Sequence, residues 1–418
     1  MTDRMQQTDA LPLGFLWGAV RAGIKASGNL DVALAFAPKG ANAAAMFTRN
    51  QVVAAPVIVG RSHLAATGGR IAAVLVNAGN ANCATGEAGM RACLATCTAT
   101  AEAFGCTSDQ VFPSSTGIIG VPFPAEKVVA SLPLLQAALG NSAAHAEAFA
   151  SAIITTDTRM KLARAVFTVG DRPVTLFGVA KGAGMIHPRL GLAATPAHAT
   201  MLVYLFTDLA AEPAELEALL PQAVEQTFNC MSIDGDTSTN DTVLLLASGA
   251  SGVQLDAGGV QRNPSVRDSF REALRLVSSD LAHQVIDDGE GVGHVVTLQV
   301  NGARTFDEAR QVARAIAHSP LNKTAWSSAD PNWGRLLAAA GNSGVRFDPD
   351  RLVVRIGAQV VFEHGMRAAH FDEALAHRTM GTREYTITLD LAEGEESCTF
   401  LTCDLTEEYV RINADYST

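Results

Sequence analysis

Charge is scarce in this sequence, and the charge that is present is mostly negative. Charged residues make up 17% of the 418 residues and hydrophobic residues 48%, a balance typical of a well-packed globular protein rather than a disordered one. The net charge of −11 argues against nucleic acid and anionic membranes as partners. It does not exclude anionic small molecules, because one local lysine or arginine can hold a carboxylate.

Long apolar runs are also missing. No uninterrupted run approaches the roughly 18–20 residues of a membrane span, and the first residues, MTDRMQQTDALP, lack the apolar segment of a secretory signal. The seven cysteines are odd in number and no pair has CxxC spacing, which favours reduced, mostly buried thiols. We therefore expect a cytoplasmic protein.

Two clusters suggest a metal, but neither has the usual ligand spacing. Four cysteines lie within residues 83–106, whereas zinc sites usually bring tighter Cys/His spacing. The acidic segment 234–241 resembles part of a calcium loop but lacks the distal glutamate. We expect no metal and no other cofactor, and we interpret the acidic segment as a polar turn held by its own hydroxyl groups.

Turn residues and hydrophobic periodicity predict an α+β fold in two domains or halves. Strand-like segments arrive in pairs and helices singly, so a layered arrangement is favoured over a doubly wound parallel sheet. No GxGxxG joins a strand to a helix ahead of an acidic residue, which disfavours a dinucleotide-binding domain. The local patterns predict helices over 87–105 and 213–228, strands over 32–36, 45–48 and 52–59, and a turn at 38–40.

The stretch 181–208 is the centre of the functional interpretation. Its KGAG turn leads into a loop and then into the apolar run 199–206, which is typical of a buried strand. Thr200 stands where the loop enters that strand. If the chain were cut before Thr200, the new α-amine, with a pKa of roughly 7.7–8, could serve as the base for the hydroxyl of the same residue.

Ten segments together resemble the ornithine acetyltransferase (glutamate N-acetyltransferase) family. One STG or DGEG means little alone, but these ten occur in the family's order from near residue 13 to the last residue. They are FTRNQVVAAPV (47–57), VNAGNANCATG (76–86), SSTGIIG (114–120), TTDT (155–158), KGAGMI (181–186), ATML (199–202), FNCMSIDGDTSTNDTV (228–243), DGEG (288–291), DPNWGR (330–335) and CDLTEEYVRINADYST (403–418).

The resemblance implies a fold, a maturation step and an activity. The fold is a layered α/β sandwich that is similar to, but distinct from, the N-terminal nucleophile hydrolases. Self-cleavage between Ala199 and Thr200 gives an α chain of residues 1–199 and a β chain of residues 200–418, which pair into an α2β2 assembly. The activity is acetyl transfer from N2-acetylornithine to L-glutamate through an acetyl-threonine intermediate, which recycles acetyl in arginine biosynthesis. Some members also use acetyl-CoA as donor.

The same resemblance assigns roles to individual residues. Thr200 is the nucleophile, and Thr116 with Gly117 forms the oxyanion hole. A lysine suits a carboxylate and a glutamate suits a cationic amine, which agrees with the substrates implied. The residues implied to contact substrate are Thr155, Lys181, Thr200, Glu290, Asn413 and Thr418.

The loop before Thr200 departs from the family. Twelve residues, HPRLGLAATPAH (187–198), make it longer than usual and introduce Thr195 as a rival nucleophile. Pro196 would begin a rigid turn rather than a strand after Thr195, so we prefer Thr200.

Two other functions remain open from the sequence. A self-processing amidohydrolase or aminopeptidase would use the same nucleophile with water as the acceptor. A non-catalytic amino-acid-binding protein would use the glycine-rich loops to hold carboxylates, and its chain would stay uncut.

We expect the purified protein to run as two fragments on a denaturing gel, with intact mass giving a new N-terminus at Thr200. Thr200→Ala should leave one full-length chain, because it removes the hydroxyl that attacks the peptide bond. Thr195→Ala is the matched control and should be cut as in the wild type. Active wild-type protein that consists of a single full-length chain would refute this maturation step.

Overall fold

The computed structural model describes residues 10–191, 201–255 and 265–415. Ala199, Thr200, Thr195 and Thr418 lie outside these ranges. The strands are β1 (Leu16–Val20), β2 (Val32–Thr48), β3 (Arg70–Asn80), β4 (Val111–Ile118), β5 (Lys161–Val169), β6 (Arg172–Lys181), β7 (Leu190–Gly191), β8 (Leu202–Thr207), β9 (Thr242–Ala247), β10 (Val295–Ala303), β11 (Val353–Ile356), β12 (Gln359–Glu363), β13 (Met366–Arg367), β14 (Glu384–Asp390) and β15 (Glu396–Cys403).

The helices are α1 (Ala55–Ala66), α2 (Gly86–Phe104), α3 (Ala125–Ala137), α4 (Ala143–Ile153), α5 (Pro213–Glu225), α6 (Val266–Asp287), α7 (Phe306–Ala317), α8 (Pro320–Ser327), α9 (Trp333–Gly341), α10 (Glu373–Met380) and α11 (Glu407–Asp415). None of the helices within the described ranges is long and apolar enough to cross a bilayer.

The strands form two mixed sheets. The larger has the order β4-β3-β2-β9-β8-β6-β5, with β1 and β7 also paired to β2. Its β3/β4 and β8/β9 pairs are parallel and its other pairs antiparallel. The smaller sheet has the order β13-β12-β11-β14-β10-β15. This architecture confirms the α+β class and the preference against a doubly wound parallel sheet.

Helices cover both faces of the larger sheet, which makes it the middle layer of a sandwich. In β8, Tyr204 and Phe206 pack on the side of α4, whereas Val203 and Leu205 pack on the side of α5 and α6. All six residues of β8 are buried, which explains why its sequence is a continuous apolar run rather than an alternating one. The smaller sheet packs against α7 and α9 in a separate core.

The two predicted halves are interleaved in the larger sheet. Strand β8, which starts just after the predicted cleavage bond, pairs with β6 from the first half on one edge and with β9 on the other. Strand β9 in turn pairs with β2 of the first half. Two interchain ladders and two shared cores would therefore hold the halves together if the bond were cut.

Two local predictions are wrong. The predicted turn at 38–40 is an irregularity inside the single long strand β2, where the register with β3 shifts between Phe36 and Ala41. The predicted strand 52–59 belongs mostly to helix α1, with Pro56 in its first turn, where proline's fixed φ and missing N–H are tolerated.

The longer helices agree with their predicted positions. Helix α2 is capped at its C-terminus by Gly105, which has a left-handed φ of 72°. Glycine adopts this conformation more easily than other residues do. Helix α5 buries one apolar face, formed by Leu216, Leu219, Leu220, Ala223 and Val224.

Candidate functional site

One cavity of about 300 Å³ collects six of the eight residues assigned from the resemblance. They are Thr116, Gly117, Thr155, Lys181, Glu290 and Asn413. The other lining residues are Ile119, Thr156, Gly184, Met185, Asp234, Asp236 and Tyr409. The remaining two assigned residues, Thr200 and Thr418, lie outside the described residues. The six come from β4, the loop after α4, β6, the turn after α6, and α11, so only the tertiary fold brings them together.

The Thr116–Gly117 segment lies at the end of β4, where its pairing with β3 becomes irregular. Gly117 has a φ of 128°, and a Cβ there would lie 2.6 Å from the Asn80 nitrogen. Glycine is therefore required by both backbone conformation and space. The Asn240 side-chain amide fixes the preceding residue of this segment by donating to the Ser115 carbonyl at 2.8 Å.

Lys181 is the last residue of β6, and its buried ammonium lies beside Thr116. The Nζ donates to Thr116 Oγ1 at 3.3 Å and lies 3.9 Å from Asp157 Oδ2. Burial lowers the pKa of Lys181, and the Asp157 carboxylate partly offsets that effect. In the sheet register Lys181 is the direct partner of Leu202, the first residue of β8.

Asp157 fixes the geometry around Lys181. Its carboxylate accepts from the Gly182 N–H at 2.6 Å and from the Thr155 N–H at 2.9 Å. Burial alone would raise the pKa of Asp157, but the ammonium groups of Lys181 and Lys161 outweigh burial and hold that pKa well below its usual range. Asp157 is therefore a buried anion that orients the site.

Lys161 links the two segments that carry the site's charges. Its fully buried ammonium lies 2.6 Å from Asp157 Oδ1 and 2.5 Å from Asp288 Oδ2. Asp288 also accepts from the backbone N–H and the hydroxyl of Thr158. Sequence analysis missed this group: TTDT and DGEG contain the two acids, but no motif contains Lys161.

Glu290 forms the acidic wall of the cavity. Its backbone N–H donates to the Ala183 carbonyl at 2.8 Å, and its carboxylate accepts from the Asn413 amide at 2.8 Å. A Cβ at Gly184 would lie 2.5 Å from the Glu290 Cδ, so the KGAG turn has no side chain where the carboxyl group packs. Helix α11 thus orients the residue that could receive a cationic amine.

The acidic segment 234–241 contributes a loop anchor. Asp234 accepts from the backbone N–H groups of Met185 and Ile186 at 2.6 and 2.9 Å, and from the Tyr409 hydroxyl at 3.3 Å. Burial raises the pKa of Asp234 to about 6 despite its backbone hydrogen bonds. Within residues 10–191, 201–255 and 265–415, no group of three or more His, Cys, Asp or Glu side chains is arranged to hold a metal.

Asp241 is a further buried acid that sequence analysis did not assign to the site. Neither carboxylate oxygen has a hydrogen-bond partner among the described residues. Burial raises the pKa of Asp241 well above its usual value, and Lys181 opposes that rise. The next residue, Thr242, donates its N–H to the Met201 carbonyl at 3.0 Å, so Asp241 lies beside the start of β8.

The arrangement can hold a zwitterionic amino acid and stabilise a developing oxyanion. Lys181 supplies a cation at one wall and Glu290 an anion at the other. Because the Lys181 ammonium donates to Thr116 Oγ1, the Thr116 hydroxyl proton is free to point at a substrate oxygen. The Gly117 segment supplies a backbone N–H beside it, as an oxyanion hole needs two convergent donors.

Comparison with known proteins finds relatives in one protein family. The model of the ArgJ family matches residues 16–418. The arginine biosynthesis bifunctional protein ArgJ of Thermus thermophilus is 45% identical over 409 residues, covering 98% of this chain and 99% of its own. The protein of the same name from Neisseria meningitidis is 41% identical over 399 residues, covering 95% and 94%. A crystal structure of arginine biosynthesis bifunctional protein ArgJ from Bacillus halodurans is 35% identical, with a TM-score of 0.48, and covers 51% of this chain and 98% of the solved chain.

Replacing Lys161 tests the buried ion cluster. Lys161→Met should lower the free energy of unfolding by ~3–5 kcal/mol at neutral pH, because it leaves two buried carboxylates without their shared cation. The pKa of Asp157 is lower in the folded protein than in the unfolded chain. Its carboxylate therefore stabilises the fold above about pH 4, and that contribution is lost as the pH falls further.

The deficit of Lys161→Met should thus be largest near neutral pH and shrink below about pH 4. Urea unfolding at neutral pH and below about pH 4 measures this loss of stability. Lys39→Met, which removes an exposed lysine of β2, is the control and should change stability by less than about 0.5 kcal/mol. Equal stability of the two variants at neutral pH would show that the cluster does not support the fold.

Proposed function

The chain belongs to the ArgJ family, and from this premise we propose that it transfers acetyl from N2-acetylornithine to L-glutamate. The products are ornithine and N-acetylglutamate, so the enzyme recycles acetyl in arginine biosynthesis. One observation carries the proposal: six residues that are far apart in the sequence and match the family's substrate-handling positions line a single cavity.

The sheet register supports Thr200 as the nucleophile. Lys181 of the cavity wall pairs directly with Leu202, which follows Thr200 by two residues. Consecutive Cα atoms are about 3.8 Å apart, so the chain connection alone keeps the Thr200 Cα within roughly 8 Å of the Leu202 Cα. A nucleophile at that point in the chain is within reach of the cavity.

In the first half-reaction, the Thr200 hydroxyl attacks the acetyl carbonyl carbon of acetylornithine, and the Thr200 α-amine takes the hydroxyl proton. The Thr116 hydroxyl and the Gly117 N–H stabilise the resulting oxyanion. The amide C–N bond then breaks and the proton passes to the departing ornithine nitrogen. The acetyl group remains on Thr200 as an ester.

In the second half-reaction, the glutamate α-amine attacks that ester. The Thr200 amine accepts the proton that glutamate loses and returns it to the threonine oxygen as the ester bond breaks. N-acetylglutamate leaves and the enzyme is restored. Because both half-reactions use one acetyl position, the oxyanion hole serves each of them.

The two charged walls support this pair of substrates. Both substrates carry a carboxylate that Lys181 can hold, and ornithine has a second, cationic amine that Glu290 can receive. Asn413 orients the Glu290 carboxylate at 2.8 Å, and Thr155 lines the same cavity. We place Thr418 at the substrate as well.

Maturation and assembly belong to the same proposal. Self-cleavage between Ala199 and Thr200 frees the α-amine that acts as base, and the chains 1–199 and 200–418 then pair as α2β2. Strand β8 between β6 and β9 supports lasting association of the two chains. We propose a cytoplasmic enzyme without a cofactor, in which acetyl-CoA is a further acetyl donor to glutamate.

Steady-state kinetics test the transfer reaction. Acetylornithine and glutamate should give equal amounts of ornithine and N-acetylglutamate with ping-pong kinetics, because the acetyl-enzyme forms before glutamate reacts. Without glutamate, ornithine release should stop after about one equivalent per active site. Sustained ornithine release at an unchanged rate without glutamate would instead show a hydrolase with water as the acceptor.

Thr116→Ala tests the oxyanion hole. Measured on the cleaved protein, kcat should fall by about 10²–10³-fold, because one donor to the developing oxyanion is lost. Thr116→Ser should restore much of the rate by returning the hydroxyl. Thr98→Ala, which changes an exposed threonine of α2, controls for the substitution itself. A Thr116→Ala rate within about twofold of the control would remove Thr116 from the mechanism.

A further inference from the structure

We propose that a second cavity, lined by four arginines, binds a phosphate group. This cavity of about 80 Å³ shares no lining residue with the first. Its walls come from the end of β2, the loop between β6 and β7, the end of α5 and the outer side of α7. The lining residues are Arg49, His187, Pro188, Arg189, Glu225, Asn229, Arg310 and Arg314.

The only acid in this lining is already neutralised. Glu225 accepts from Arg310 Nη1 at 2.5 Å and from the Asn229 amide at 2.9 Å, one bond to each carboxylate oxygen. Arg310 is held on its other side by Asp307 at 2.6 Å. Within the lining, Glu225 and Arg310 therefore balance each other in charge, and Asp307 is not one of the lining residues.

The other three arginines are uncompensated. Across the ranges that the structure describes, the guanidinium groups of Arg49, Arg189 and Arg314 make no hydrogen bond or ion pair with any acceptor. Arg49 Nε is buried and has no hydrogen-bond partner among the described residues. The Arg49 side chain packs against Gly191, where a Cβ would lie 2.8 Å from Nε. Burial lowers the pKa of Arg314, and the positive charges of Arg189 and Arg310 lower it further.

This local excess of positive charge is unusual in a chain whose net charge is −11. Placing like charges together in a half-buried cavity costs free energy unless an anion balances them. The histidine in the wall adds no charge, because burial above all, and His318 next, lower the pKa of His187 to about 3. The charge of the lining therefore suits an anion.

Charge and size favour phosphate over a carboxylate. A monocarboxylate would leave two of the three guanidinium charges unbalanced, whereas a phosphate monoester carries about −1.5 to −2 near neutral pH and presents several acceptor oxygens. Arginine's planar donors match such an oxyanion in bidentate geometry. The small volume admits one phosphate group, and exposed Arg189 marks the side on which a larger phosphate-bearing molecule would extend.

Isothermal titration calorimetry tests the site on the mature protein at constant ionic strength. The two probes are inorganic phosphate and adenosine bisphosphate, which distinguish free phosphate from a phosphate-bearing molecule. We expect saturable binding of one equivalent per chain for at least one probe. No saturable binding of either probe would overturn the proposal.

Charge-matched variants locate the binding. Arg314→Gln should weaken it about tenfold or more, since it removes a half-buried unpaired donor. Arg189→Gln should also weaken it, and because Arg189 is an exposed loop residue this variant remains informative if Arg314→Gln folds poorly. Arg355→Gln removes an exposed arginine of β11 in the smaller sheet and should bind as the wild type does. Equal binding by all three variants would place the anion elsewhere and overturn the proposal.

Discussion

The fully buried ammonium of Lys161, held between the carboxylates of Asp157 and Asp288, is the interaction on which the proposed site depends. It joins the segment after α4 to the turn after α6. Asp157 in turn sets the position of Gly182 and Lys181, and Asp288 lies two residues before Glu290. One buried cation thus positions both the positive and the negative wall, and its desolvation is repaid only because two anions and their backbone donors surround it.

Around this cluster, the larger sheet holds the backbone rigidly, and glycines leave room for the close contacts in the cavity wall. Strand β8 is buried on both faces and paired on both edges, so the chain that follows Thr200 is held firmly. Gly117 and Gly184 sit where a Cβ would collide with backbone or with Glu290. A side chain at the start of such a strand is positioned by the packing of the strand.

Two neighbouring cavities differ in how the charges of their lining residues are balanced. In the first cavity, buried acids face Lys181, which leaves a mixed field suited to zwitterions. In the second, Glu225 is used by Arg310 and three arginines remain unpaired. Met185 lines the first and His187 the second, so a single short loop separates two sites of different charge character.

Sequence alone determined which residues are candidates for the site, because that information is local. The ordered motifs, the turn at 181–184, the strand after Thr200 and the apolar face of α5 all depend on residues close together in the chain. Local patterns failed where pairing decides the outcome. Strand β2 continues past 38–40 because β1 and β3 pair with it before that point and β3 and β9 pair with it after that point. Residues 52–59 belong mostly to helix α1.

Only the tertiary structure revealed the role of Lys161, since one of its two partners, Asp288, is 127 residues away in the sequence. The same holds for Asp234, whose backbone partner Met185 is 49 residues distant, and for the three unpaired arginines. Burial and charge balance are properties of the folded neighbourhood. Residue type shows what a side chain can do, but its surroundings decide whether it is an anchor, a ligand contact or a solvated surface group.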